Sequence, residues 1–86
     1  MINITLRVET EDKSGEYVVT PMVQVAFERE WKVGLAKAFN QDQKMEHMYW
    51  LGWKSMHAAG EVVKPFDGWL NTVKSVEIVE EEAAPL

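Results

Sequence analysis

The sequence predicts an α+β fold: an N-terminal β-hairpin, two longer helices and a short third helix, and a C-terminal strand that adds to the hairpin. Three observations predict it. MINITLRVE alternates strictly, with Ile2, Ile4, Leu6 and Val8 on one side and Asn3, Thr5, Arg7 and Glu9 on the other, the period-2 pattern of a half-buried strand. Further on, apolar residues recur at helical spacing behind Thr20-Pro21. Near the end, SVEIV returns to β-branched alternation. We expect one domain over residues 1–80 and a disordered acidic tail over 81–86.

Each element follows from local chemistry. EDKSG, residues 11–15, is a polar turn with a glycine able to take positive φ, and EYVVT, 16–20, is rich in β-branched and aromatic residues, which completes the hairpin. The Thr20 oxygen can cap free N–H groups, and Pro21 suits the first helical position because it has no N–H to lose. In PMVQVAFEREWK the apolar positions Val23, Phe27 and Trp31 recur at i, i+4, i+8 beside Met22 and Ala26. Glu28 and Lys32 form an i, i+4 pair on another face, and Gly34 is the natural stop. LAKAF forms a short helical turn, with Leu35 and Phe39 four apart, before Asn40 or Asp42 caps the next helix.

That next helix is MEHMYWLGWKSMHAAG, ending at Gly60 in a left-handed C-terminal position. At 100° per residue, Met45, Met48, Tyr49, Gly52, Trp53, Met56 and Ala59 gather within about 140°, the expected core stripe. EVVK is a linker, Pro65 and Asp67 are start signals, and Phe66, Trp69, Leu70 and Val73 repeat at i, i+3, i+4, i+7 for the short third helix. SVEIV, residues 75–79, is the closing strand.

The totals exclude several functions. A chain of 86 residues buries only roughly 60–65% of its unfolded surface, so a large internal active site is not expected. A net charge of −5 argues against binding a phosphate backbone, so no nucleic acid partner is expected. There is no cysteine, which removes disulfides, thiolate zinc sites and thiol nucleophiles. No basic segment leads into an apolar run at the N-terminus, and no stretch approaches about 18 apolar residues, so no membrane association is expected and the chain reads as cytosolic.

Catalytic residues, metal and cofactors are all expected to be absent. A metal or acid-base site would have to draw on His47, His57, Glu46 or Asp67. Ten residues apart on one helix, the histidines are separated by roughly 15 Å along the axis and about 80° around it, too far to share an ion, and HExxH is absent. They read as half-exposed residues beside the stripe. Ser14, Ser55 and Ser75 have no nucleophile-elbow context, and the five glycines make no phosphate-binding loop.

Binding has more support. Trp50 falls beyond the edge of the stripe, beside Glu46 and His57 and one turn before Lys54. Either the third helix or the hairpin covers it, or it is an exposed interface anchor of the kind tryptophan supplies at binding hot spots. The candidate partner-binding residues are Trp50, Trp53, Tyr49, Trp31, Phe27, Trp69 and Phe66.

The run FEREWKVGLAKAF, then KMEHMYWLGWKSMHAAG, then VKPFDGWLNTVKSVEIVEEEAAPL resembles the tail assembly chaperones of long-tailed bacteriophages, especially those of actinobacterial phages and prophages, in their short form. The signposts are F-E-R (Phe27, Glu28, Arg29), M-E-H followed by W-L-x-W (Met45 to His47, Trp50 to Trp53), and P-F-D-x-W-L (Pro65 to Leu70), with the leading hairpin also matching. The chain departs from the pattern at Met48 and Tyr49, where smaller or aliphatic residues are expected, and at Gly52, where alanine is usual. The resemblance implies a non-enzymatic protein of the host cell cytoplasm that binds the tape measure protein, keeps it soluble, and helps tail tube subunits assemble around it before release. The tail tube protein and a second copy of the chain are further candidate partners. The competing function is that of a small structural head–tail connector or completion protein, which would stay in the virion; a host-directed regulator is a third.

Overall fold

In the computed structural model, residues 4–38 and 44–79 are described, and the fold is α+β. The alternation of the first segment builds β1, Thr5–Thr10, whose Leu6 and Val8 point into the core together with Ile4 just before it. A turn over residues 10–13 follows, closed by the Thr10 N–H on the Lys13 carbonyl at 2.8 Å and by the Thr10 hydroxyl on the same oxygen at 3.1 Å. β2, Ser14–Val18, therefore begins before the expected position, and Gly15 lies inside it opposite Val8 rather than in the turn.

β3, Val73–Val79, pairs antiparallel with β1 on its other side, giving a three-stranded sheet of order β2-β1-β3. Leu6 stands between Tyr17 and Ile78, and Val8 between Gly15 and Val76, so the apolar rows of the strands share one face. On the other face Arg7 stands between Glu16 and Glu77 and reaches Glu16 at 3.2 Å. β3 starts earlier than SVEIV suggests: Val73 belongs to it, opposite Thr10, across an irregularity between Glu9 and Thr10.

Thr20 caps α1, Pro21–Trp31, accepting from the Val23 N–H at 3.4 Å. The helix stops before Gly34. Lys32 takes the left-handed conformation (φ 57°), and its N–H closes on the Glu28 carbonyl at 3.0 Å. Lys32 is thus outside the helix, and Glu28 instead accepts from the Leu35 N–H at 3.1 Å, tying α1 to the short α2, Leu35–Lys37. Phe39, Asn40 and Asp42 lie outside the described residues, as does the acidic tail; α3, Met45–Ala58, starts from Lys44 without a side-chain cap. Gly60 is left-handed (φ 93°) just past its end, as expected.

The largest departure is the orientation of α3. Met45 is 58% exposed and Ala59 is exposed, while His47, Trp50, Leu51, Gly52, Ser55 and Met56 are buried. The reason is that α3 touches all three strands, α1 and α4, so it is covered on two sides and no single stripe describes its core face. Gly52 permits the closest approach: a Cβ there would lie 3.0 and 3.2 Å from the two γ-carbons of Val76 and 3.3 Å from Val8 Cγ2. An alanine there would fit only if Val76 or Val8 gave way by a few tenths of an ångström.

α4, Phe66–Trp69, is a single turn; the apolar repeat that predicts a longer helix is split because Val73 joins the sheet. The linker before it is fastened to the hairpin. The Tyr17 hydroxyl donates to the Glu61 carboxylate, which also pairs with the Lys13 ammonium. Burial, then the hydrogen bond and charge of Glu61, push the Tyr17 phenol up to about 12. Hydrogen bonds from Lys13 and Tyr17 hold Glu61 below the usual carboxylate value.

Candidate protein-binding site

Six of the seven candidate binding residues form one connected run of rings. Phe27 and Trp31, one turn apart on α1, lie 6.4 Å from centroid to centroid. Trp50 of α3 packs edge-on against both, at 6.0 and 6.5 Å. The run continues from Trp50 to Trp53 at 6.0 Å, from Trp53 to Phe66 of α4 at 5.6 Å, and from Phe66 to Trp69 at 6.4 Å. Such offset and edge contacts are favoured by the ring quadrupoles and each add about 0.5–1.5 kcal/mol beyond area burial. Tyr49 stands apart, half-buried against the core outside this run.

The structure settles which of the two readings of Trp50 holds. It is covered, with 7% of its surface exposed, and Phe27 and Trp31 of α1 and Trp53 are among the rings packed against it. Phe27 and Trp69 are buried too, whereas Trp31, Trp53 and Phe66 keep part of their surface in solvent. Trp53 is held in place by its indole N–H, which donates to the Lys64 carbonyl at 2.7 Å and so joins α3 to the linker. Lys54 lies 5.7 Å from the Trp53 ring centre, a cation–π contact.

An open groove of about 510 Å³ runs between α1, α3 and the start of α4. Trp31, Trp50, Trp53 and Phe66 form its apolar lining; Glu30, Glu46, Asp67 and Lys54 supply its charges. In the sequence, Glu46 and Asp67 stand out only as possible acid-base residues, with Asp67 also a helix start signal, and Glu30 not at all. What the sequence does not show is that three elements bring them to one rim.

His47 is the residue that sequence reasoning misplaced. Only 4% exposed, it packs edge-on between Phe27 at 5.2 Å and Trp31 at 4.8 Å, so it is part of the aromatic core. Its position three residues before Trp50 was the available signal, since i and i+3 share a helix face. His57 is exposed and stacks on Trp53 at 6.3 Å. Among the described residues, no three His, Cys, Asp or Glu side chains gather closely enough to hold a metal ion, and no helix is long and apolar enough to cross a membrane. Comparison with protein-family models, curated proteins and solved structures found no match to this chain.

Proposed function

We propose that this chain is a non-enzymatic tail assembly chaperone of a long-tailed bacteriophage. It binds the tape measure protein, keeps it soluble in the host cell cytoplasm, promotes tail tube assembly around it, and does not stay in the mature virion. One observation supports the reading above the others: the sequence signposts that carry the resemblance converge on one surface groove. Phe27 of the first signpost lies under it, Glu46, Trp50 and Trp53 of the second form one wall, and Pro65, Phe66 and Asp67 of the third form the other. Partly exposed aromatic side chains at the centre of a concave surface are the usual anchors of protein recognition.

The test is co-expression with the tape measure protein of the same phage. The expected result is a soluble tape measure protein that co-purifies with the chain, and no copies of the chain in purified virions by mass spectrometry. A tape measure protein that aggregates equally with and without the chain overturns the proposal. Abundant copies in virions would favour a head–tail connector instead.

A further inference from the structure

The geometry points to a specific occupant for the groove: an amphipathic α-helix whose apolar stripe is flanked by lysine or arginine. This rests on the chaperone reading for the source of the helix, a segment of the client protein, and on the groove itself for its chemistry.

Three features select that occupant. The lining is aromatic, with Trp31, Trp53 and Phe66 partly exposed over the buried Trp50, so it takes apolar side chains. Apart from Pro65 the walls are helical side chains, and among the described residues no strand edge borders the groove. An extended peptide would find no backbone partners there, whereas a helix satisfies its own N–H and C=O groups. The charge is one-sided: Glu30 on α1, Glu46 on α3 and Asp67 on α4 are exposed on the rim, and no ion pair to any of the three is found among the described residues. Among the described residues Lys54 is the one base of the lining, held near Trp53. A basic helix would find three carboxylates on different sides of its apolar stripe. A second copy of this chain, at net charge −5, would meet repulsion.

The experiment titrates the full chain with a synthetic helical peptide of about five turns, leucine and tryptophan along one face and lysine on both flanks. A matched peptide carrying glutamate in place of lysine is the control. The indole N–H signals of the four tryptophans are followed by NMR. The expected result is saturable shifts at Trp31 and Trp53 with the lysine peptide, weakened at least about tenfold by Glu30→Lys with Asp67→Lys and weakened by added salt. These are exposed positions, so the double variant keeps its fold, checked by circular dichroism. Equal binding of both peptides, shifts confined to the sheet, or self-association of the chain through the groove would overturn the inference. If the double variant still solubilises the tape measure protein as the native chain does, the groove assignment fails while the chaperone reading stands. If the lysine peptide binds in the groove but no tape measure protein is solubilised, the groove assignment stands and the chaperone reading fails.

Discussion

Phe27 and Trp50 meet edge to face, with centroids 6.0 Å apart and ring planes at 67°, and this contact joins α1 to α3 beneath the groove. Both rings are buried. Trp50 therefore supports the shape of the groove from below. Replacing it with alanine should remove about 3–5 kcal/mol of stability, the range for large aromatic deletions in cores. The check is the midpoint of urea unfolding; a Trp50→Ala chain as stable as the native one would show that the ring is not packed.

Trp53 separates binding from stability. Its ring is half-exposed on the groove, and its indole N–H holds the Lys64 carbonyl at 2.7 Å. Trp53→Phe keeps a ring and loses one hydrogen bond, which should cost about 1 kcal/mol and preserve client solubilisation. Trp53→Ala should abolish solubilisation while costing less stability than Trp50→Ala. Soluble client recovered with each variant, set against its melting temperature, distinguishes the two roles.

Gly52 should resist the substitution that helix propensity favours. Alanine in a helix interior gains up to about 1 kcal/mol over glycine, but here its methyl group would sit 3.0 Å from Val76 Cγ2 and 3.3 Å from Val8 Cγ2. Val76 is β-branched and has few rotamers to move into. Gly52→Ala should lower stability by up to about 2 kcal/mol, and the loss should shrink by at least about 0.5 kcal/mol in a Val76→Ala background. A double-mutant cycle with no coupling would mean that helix and sheet are not in contact at this point.

The Tyr17–Glu61–Lys13 cluster gives a pH signature. With the phenol raised from 10.0 to about 12 in the folded chain, the unfolded chain releases its proton first. The contribution is therefore complete below about pH 10 and is lost as pH rises toward about 12. Glu61, lowered in the folded state, acts in the opposite sense: its contribution is present above the ordinary carboxylate value of 4.5 and is lost as pH falls below it. Unfolding curves of the native chain and Tyr17→Phe should converge between pH 10 and 12, since only the native chain loses the tyrosine's contribution there. A constant stability difference across that window would contradict the assignment.

How far the sequence could be read depended on whether neighbours in space were also neighbours in the chain. The strict alternation of β1 placed Leu6 and Val8 inside correctly, because a strand's side-chain period is set by its own backbone. Thr20 with Pro21 placed the start of α1 correctly for the same reason, since capping is settled within one turn. The end of α1 was misplaced. Lys32, before the expected stop at Gly34, closes the helix in a left-handed conformation, in a chain segment also fastened by Glu28 to the next helix.

Local chemistry thus accounted for the α+β class, the hairpin and the start of α1, because these depend on backbone period and capping. Packing accounted for the rest. The wheel placed Met45 in the core and His47 outside it, and the structure reverses both, since α1 and the sheet cover α3 from two directions. The same enclosure buries Trp50, leaves Trp53 and Phe66 half-open, and draws Glu30, Glu46 and Asp67 from three helices to one rim. A helical wheel describes one helix against one partner; where two partners press on the same helix, exposure becomes a property of the assembled fold.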